Sequence, residues 1–308
     1  MKPVLVICGA TATGKTSLAI DCAKALNTEI ISADSQLVYR GLNIGTAKPS
    51  HAEMQGIKHH LIDVVSAKDS FSVSDYEERA LPIIDRLLSE GKVPIVCGGT
   101  GFYINSILYN LGYGNAKADY AIRARYEQIL QEKGKEYLFE LLKSVDKESA
   151  EKLHPNDVKR VIRALEIYET SGKKKSEQND EMKPRYDYVA VAIDFPREQL
   201  YRRIDNRVDI MFNSGLIDEV EKLKSVGIDK NCQSMQAIGY KEVLEGLNNG
   251  VNDSTMRDII KKNTRHYAKR QHTFFKKLNG IIWLKPQDAT KETVLKLLSV
   301  YEKKNGKL

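Results

Sequence analysis

Short apolar segments alternate with helix-like segments over the first hundred residues. The apolar segments run into glycine or polar residues, as the strands of a buried parallel sheet do. Strands are therefore predicted over residues 2–9, 29–34, 60–64 and 93–100. The apolar spacing of a helix follows over residues 16–26 and 76–89. This alternation predicts an α/β fold with a parallel sheet.

The middle of the chain follows a different pattern. Residues 119–170 have helical spacing throughout, mix both charge signs and carry no strand signal. Residues 173–184 are polar and rich in lysine, which predicts a loop. The strand signal then returns over residues 188–194 and 281–284.

These patterns predict two domains in a chain of 308 residues, a length that can bury a sizeable core. The α/β core comprises residues 1–114 and 187–308, and an inserted all-helical domain comprises residues 115–186. No apolar run approaches the roughly 20 residues of a membrane span. The first residues lead directly into a strand, so we expect no signal peptide.

Cysteine is sparse, and no C-x-x-C pair occurs. This excludes a disulfide scaffold and a cysteine-rich zinc site, and it favours a reducing, cytoplasmic location. We expect all four cysteines to be small buried apolar side chains. They are Cys8, Cys22, Cys97 and Cys232.

The net charge of +7 is concentrated in the last third of the chain. Residues 201–308 contain 21 Lys+Arg against 13 Asp+Glu, and within residues 257–277 Asp258 is the only acidic residue. Such a block indicates a surface that binds a phosphate backbone, with a solvated helix face as the alternative. Three- and four-residue steps place basic side chains on one stripe of a helix and apolar anchors opposite. The stripe is Lys262, Arg265, Lys269, His272 and Lys276, and the anchors are Ile260, Tyr267, Phe274 and Leu278.

A phosphate-binding motif lies between the first predicted strand and the first predicted helix. The segment Gly9-Ala10-Thr11-Ala12-Thr13-Gly14-Lys15-Thr16 matches G-x-x-x-x-G-K-[ST], the P-loop. The backbone N–H groups of such a loop and the positive N-terminus of the helix that follows can bind phosphate oxygens. Lys15 can reach the terminal phosphates, and the Thr16 hydroxyl can help to hold Mg²⁺. A compound with a diphosphate or triphosphate is therefore expected to bind here.

Two further segments follow predicted strands and open on the crevice next to the P-loop. Asp34 ends the second strand and can be a metal ligand, a general base or a helix N-cap. Thr100 lies in Gly-Gly-Thr-Gly at residues 98–101; it can polarise a substrate, hold Asp34 in place or belong to a plain turn. The adjacent His59 and His60 would point to opposite faces of a strand, so we expect structural histidines rather than metal ligands.

Eight further segments accompany the P-loop: residues 32–41, 44–49, 98–103, 153–160, 163–166, 215–220, 237–242 and 268–271. Together, and in this order, they resemble the bacterial tRNA dimethylallyltransferases, also called tRNA isopentenyltransferases or IPP transferases. So many ordered matches are specific, whereas a P-loop alone is not. The chain departs from the family pattern at Ala10, Thr13 and Phe274, where proline, serine and tryptophan are usual.

The resemblance implies a reaction in which the P-loop, with Mg²⁺ as cofactor, holds dimethylallyl diphosphate as the donor. The acceptor is the exocyclic amine of the adenine 3′ of the tRNA anticodon. Asp34 is then the general base and Thr100 lies beside the reacting atoms. All of Gly9 to Thr16, together with Arg207, bind the diphosphate, and an extruded base enters from the other side of a channel.

The resemblance also implies residues that contact the tRNA anticodon stem-loop. They are Ser35, Gln36, Leu37, Arg123, Lys159, Arg160, Val161, Ile162, Arg163, Gln236, Gly239, Tyr240, Lys241, Arg265, Lys269, Arg270, Gln271 and Lys276. The implied fold is α/β, a P-loop NTPase-like parallel sheet flanked by helices, with an inserted helical domain that grips tRNA. We expect a monomer without membrane partners.

Three other functions fit parts of the sequence. A P-loop kinase of a small metabolite explains Lys15 and Thr16 but leaves the basic C-terminal third unused. An adenylate isopentenyltransferase, which acts on a free nucleotide, has the same difficulty. An RNA-binding module with a degenerate P-loop would need neither an intact Lys15 nor the Asp34 carboxylate.

Overall fold

The computed structural model describes residues 2–111, 119–177 and 183–304. Its strands are β1 (Val4–Cys8), β2 (Ile30–Ser32), β3 (His59–His60), β4 (Ile95–Gly98), β5 (Tyr188–Ile193) and β6 (Ile282–Leu284). The first helices are α1 (Lys15–Leu26), α2 (His51–Met54), α3 (Val73–Ser89), α4 (Gly101–Leu108), α5 (Tyr120–Val145) and α6 (Lys147–Glu151). The others are α7 (Val158–Ser171), α8 (Arg197–Asn213), α9 (Leu216–Ser225), α10 (Tyr240–Asn249), α11 (Asp253–Phe275) and α12 (Lys291–Lys304).

The strands form one parallel sheet in the order β3-β2-β4-β1-β5-β6. The central strand β1 pairs with β4 on one side and β5 on the other, and all its residues are buried. Leu5 and Ile7 pack with residues of α1 and α12 on one face, while Val4 and Val6 are buried on the other. A sheet buried on both faces explains why the strands are continuous apolar runs. The predicted α/β fold is confirmed.

The sheet brings the carboxyl ends of β1, β2 and β4 to the same edge, because these neighbouring strands are parallel. The predicted strand over residues 60–64 is much shorter than expected. Leu61 and Asp63 have φ of 62° and 55°, so the extended backbone stops after His60. The ring of His60 contacts the Glu29 carboxylate, and Nδ1 of His59 lies 2.9 Å from the carbonyl of Ile57.

The chain divides into two compact units, Met1–Leu108 with Pro184–Leu308, and Tyr109–Lys183. The predicted boundary at residues 114 and 115 lies outside the described residues, as do residues 178–182 of the predicted loop. The second unit has its own core, which includes Leu138, Leu142 and Leu165.

Residues 119–170 are mostly helical, as predicted, but the helical pattern is interrupted. The backbone leaves the helical region at Gly134 (φ 81°, ψ 171°) and again at Asp146 (φ −144°). The carboxylate of Asp146 then caps α6 by accepting from the backbone N–H of Ser149. Residues 152–157 separate α6 from α7. Periodicity alone missed these breaks because the apolar spacing continues across them.

Cys8, Cys22 and Cys97 are buried as expected, and burial raises the pKa of Cys97 to about 11. Cys232 is only half-buried, which corrects the expectation for all four. Within the described part of the chain, no helix has the length and apolar character needed to cross a membrane.

Candidate active site

The P-loop closes on itself around the carbonyl oxygen of Ala10. The hydroxyl of Thr13 donates to this oxygen at 2.9 Å, and Nζ of Lys15 donates to it at 2.6 Å. Burial lowers the pKa of Lys15, and the nearby Arg207 acts in the same direction, while Asp34 opposes the shift. Two partly desolvated cations close together favour an anion between them. The loop is therefore suited to phosphate, as the motif predicts.

Asp34 and Thr100 follow neighbouring strands, and two hydrogen bonds join Thr100 to the residues on either side of Asp34. The backbone N–H of Ser35 donates to Oγ1 of Thr100, and the N–H of Thr100 donates to the carbonyl of Ala33. A Cβ on Gly98 would lie 2.1 Å from that carbonyl, so only glycine permits the approach of the two segments. The structure thus places Thr100 against the residue that follows Asp34.

The Asp34 carboxylate has a structural role at one of its oxygens. Oδ1 accepts from the backbone N–H of Gln36 at 2.9 Å and so caps the turn after β2. The same side chain lines a cavity of about 290 Å³. Capping and a chemical role are therefore compatible.

The cavity combines charged groups with an apolar wall. Thr11 of the P-loop, Asp34 and Arg207 contribute polar groups to its lining. Ile204, Val208, Met211 and Ile260, from α8 and α11, contribute the apolar wall. An aliphatic group can be held beside a carboxylate and next to phosphate-binding cations in such a space.

Arg207 is held by the loop that follows residue 40. Its Nη2 donates to the carbonyl of Thr46 at 3.0 Å. Burial lowers the pKa of Arg207, and the negative charge of Asp34 partly offsets this. A partly buried guanidinium beside a cavity is well suited to binding an anion.

Glu219 on α9 organises the loop that contacts Arg207. Its carboxylate accepts from the backbone N–H groups of Asn43, Ile44 and Gly45 at 3.0–3.4 Å. The hydroxyl of Tyr240 also donates to Glu219 and accepts from the N–H of Gly45. The sequence predicts no role for Glu219, although this residue lies in residues 215–220, one of the segments that resemble the family.

Gln271 connects the P-loop with the turn that carries Thr100. Its Oε1 accepts from the backbone N–H of Thr11 at 2.9 Å, and its Nε2 donates to the carbonyl of Gly99 at 2.9 Å. The side chain is only 6% exposed. These partners favour a positioning role for Gln271 over the tRNA contact implied by resemblance. They also occupy the Thr11 N–H that was expected to face the diphosphate.

Tyr267 lies one turn before Gln271 on α11 and also lines the cavity. Burial and the nearby Asp34 raise the pKa of Tyr267 to about 12, and interactions with Thr100 and Gln271 act against that shift. Tyr267 was expected only to anchor the helix. The structure places its hydroxyl among the polar groups of the site.

The basic helix α11 has acidic partners that its own sequence does not contain. Asp209 on α8 pairs with Lys261 at 2.8 Å and with Arg257 at 3.6 Å, and Asp205 pairs with Arg265 at 3.2 Å. Part of the positive charge of α11 is therefore balanced by α8, outside the segment in which Asp258 is the only acidic residue.

The rest of the predicted stripe remains available to a polyanion. Lys262, Lys269 and Lys276 are exposed, as are Arg270 and Lys277. His272 is half-buried, next to Asp194 and the ring of Trp283. The surface that favours phosphate is thus confined to the exposed lysines and Arg270.

Several other residues implied by the resemblance lie in the same unit as the cavity. Ser35, Gln36, Gln236 and Arg270 contribute to its lining. Leu37 is half-buried, and Lys241 is exposed. Gly239 precedes α10 with φ 99°, and Tyr240 is fully buried against Glu219. The buried side chain of Tyr240 is unsuited to the tRNA contact implied by resemblance.

The remaining implied contacts lie in the second unit. Lys159 and Arg160 are exposed on α7. Arg123 and Arg163 are ion-paired with the buried Glu166 at 2.9 and 2.7 Å. Val161 and Ile162 are buried in the core of this unit, so their side chains face away from any RNA on its surface.

The described residues contain no cluster of three His, Cys, Asp or Glu side chains able to hold a metal ion. The Thr16 hydroxyl is exposed at the first turn of α1. A metal held there would take its other ligands from phosphate oxygens and water, which is the usual coordination of Mg²⁺ in phosphate sites.

Comparison with known proteins gives a consistent result. Residues 37–278 match the family model described as IPP transferase. A tRNA dimethylallyltransferase from Acetivibrio thermocellus is 48% identical over 305 residues, covering 98% of this chain and 97% of the relative. The crystal structure of a tRNA isopentenylpyrophosphate transferase from Bacillus halodurans is 39% identical, with a TM-score of 0.71 over 100% of this chain and 97% of that one. A eukaryotic dimethylallyltransferase acting on tRNA is 30% identical, with a TM-score of 0.83 over 100% of this chain and 81% of that one.

Proposed function

Because this chain belongs to the IPP transferase family, we propose that it is a tRNA dimethylallyltransferase. It transfers the dimethylallyl group of dimethylallyl diphosphate to the exocyclic amine of the adenine 3′ of the anticodon and releases diphosphate. The observation that carries this proposal is that the P-loop residue Thr11, the carboxylate of Asp34 and the guanidinium of Arg207 line the same cavity.

The P-loop and Arg207 hold the donor. Lys15 and Arg207 face the diphosphate, and its binding offsets the desolvation that lowers their pKa values. The apolar wall formed by Ile204, Val208 and Ile260 receives the dimethylallyl group. Cations around the diphosphate stabilise the charge that develops on the leaving oxygen.

Asp34 acts as the general base. The new bond forms between the adenine amine nitrogen and the first carbon of the dimethylallyl group, while the bond from that carbon to the diphosphate oxygen breaks. The electron pair leaves with the diphosphate, and the amine proton passes to the Asp34 carboxylate. Thr100, tied to Ser35, keeps the turn beside Asp34 in place. The Thr16 hydroxyl would help to hold Mg²⁺, which would supply further positive charge to the diphosphate.

The acceptor reaches the cavity as an extruded base, since the amine of a stacked adenine is inaccessible. The exposed Lys262, Lys269 and Lys276 of α11 bind the phosphates of the anticodon stem-loop. Exposed basic residues of the inserted unit, Lys159 and Arg160, provide a second gripping surface. A monomeric cytoplasmic enzyme remains our prediction.

The test is the mass of nucleosides from unmodified tRNA incubated with the protein, Mg²⁺ and dimethylallyl diphosphate. The expected product is isopentenyl-adenosine, formed with tRNA and absent when AMP replaces it. A product on AMP alone would assign the chain to the adenylate isopentenyltransferases. Release of ADP when ATP replaces the donor would indicate a kinase.

A further inference from the structure

Phe102 is an exposed aromatic side chain two residues after Thr100. It is 63% exposed, whereas the next two residues of α4, Tyr103 and Ile104, are buried. The first turn of α4 therefore directs one large apolar ring into solvent while its other apolar residues join the core. A ligand that covers this phenyl ring would gain the free energy of burying its apolar surface.

The ring is supported from behind by Phe274 of α11. The two centroids are 5.4 Å apart with an interplanar angle of 63°. Phe274 is itself packed edge-on against the buried Phe275, at 5.7 Å. A Cβ on Gly101 would lie 2.1 Å from the ring of Phe274, so this ring sits directly on the backbone before Phe102. Phe102 is thus an ordered platform with one open face.

The part of α11 that leads to this platform, from residue 259 onward, contains basic side chains and no acidic ones. Arg270 lies one helical turn before Phe274, is exposed and lines the cavity that contains Asp34. Exposed Lys269 and Lys276 lie nearby in sequence, and residues 259–279 contain no Asp or Glu. An aromatic face surrounded by cations suits an unpaired nucleobase, which offers a stacking surface and a linked phosphate. An apolar protein partner would have to desolvate these charges.

We propose that Phe102, supported by Phe274, is a stacking subsite for an unpaired RNA base that adjoins the target adenine. This inference rests on the proposed function. When the target adenine enters the cavity, its neighbour in the loop loses a stacking partner, and the ring of Phe102 replaces it. The base is held by its face, so the subsite accepts different bases.

The test uses unmodified anticodon stem-loop RNA with 2-aminopurine placed in turn on either side of the target adenine. Phe102→Ala is expected to weaken RNA binding by about 5- to 150-fold, the range seen for loss of one stacked base. Phe102→Trp, which keeps an aromatic ring, should bind RNA about as well as the wild type does. Phe102→Leu, which has no ring, should bind it more weakly. The salt dependence of binding should be unchanged, because no phosphate contact is removed. Stacking should also quench the fluorescence of 2-aminopurine at one of the two positions in the wild-type complex. This quenching should be absent with Phe102→Ala.

Val300→Ala is the matched control, because Val300 is also an exposed apolar side chain but lies on a different helix, α12. This variant should bind RNA as the wild type does. Equal RNA affinity for wild type, Phe102→Ala and Phe102→Leu would overturn the subsite while leaving the proposed function intact. A smaller salt slope in Phe102→Ala would also overturn it. Wild-type protein that binds this RNA but forms no isopentenyl-adenosine would refute the proposed function alone.

Discussion

Gln271 offers a sharp test of how the two halves of the site are held together. Its side-chain amide joins the N–H of Thr11 in the P-loop to the carbonyl of Gly99 next to Thr100. We therefore consider Gln271→Met, which keeps the length and approximate volume of the side chain and removes both hydrogen bonds. Thr273→Ala is the control, because Thr273 is exposed on the same helix and contacts neither segment.

The cost follows from the burial of the two partners. Gly99 is buried, so its carbonyl stays without a partner after the substitution, at about 1–3 kcal/mol. Thr11 is half-buried, so water can replace the lost acceptor, and the net loss there is about 0.5–1.5 kcal/mol. The sum is about 1.5–4.5 kcal/mol. If all of it opposes the aligned state of the site, kcat/KM for the donor falls by about 12- to 1,600-fold, at 1.4 kcal/mol per factor of ten.

The assay measures three quantities on each variant: donor kcat/KM, the Kd for tRNA and the midpoint of urea unfolding. Gln271→Met should lower donor kcat/KM and leave the Kd for tRNA nearly unchanged, because no contact to RNA is removed. The urea midpoint reports how much of the loss is global instability. A weaker tRNA Kd with normal donor kcat/KM would refute the positioning role and support a direct RNA contact.

Three other perturbations test separate parts of the site. Asp34→Asn should lower the transfer rate by about 10²- to 10⁴-fold with tRNA binding nearly intact, as loss of a general base does; an unchanged rate would exclude that role. Lys269→Ala should reduce the salt slope of tRNA binding by about 1. Lys261→Ala should change the slope less, because the ammonium of Lys261 already pairs with Asp209 of α8. Equal slopes for the two variants would count against the assignment. Glu219→Ala should lower donor kcat/KM by about tenfold, because the loop that contacts Arg207, the proposed diphosphate ligand, loses its common acceptor, at about 1.5 kcal/mol. Glu221→Ala, at an exposed position of the same helix, should have no effect. Normal activity of Glu219→Ala would show that the loop keeps its conformation without Glu219.

Much of the fold could be predicted because its signals are local. A buried parallel strand has to be apolar along its length, and a P-loop has to be rich in glycine, so both are visible in a short window of sequence. Because the strands are parallel, Lys15, Asp34 and Thr100, which follow three of them, are then expected at the same carboxyl edge of the sheet. The breaks at Gly134 and Asp146 were missed, because each depends on backbone torsions that leave the apolar spacing unchanged.

The supports of the site could not be predicted in the same way, since they join residues far apart in the chain. Gln271 binds a carbonyl 172 residues away, and Glu219 binds amides about 175 residues away. Nothing in the local spacing of either residue distinguishes it from a surface side chain, and Gln271 even lies within a basic stretch that favours RNA binding. We therefore propose two functions for the same helix α11, one on each face. The buried face connects the P-loop with the Thr100 turn through Gln271, and the exposed lysines are the proposed contacts to the polyanion. A substitution on the buried face should then alter donor turnover, and a substitution on the exposed face should alter salt-dependent binding.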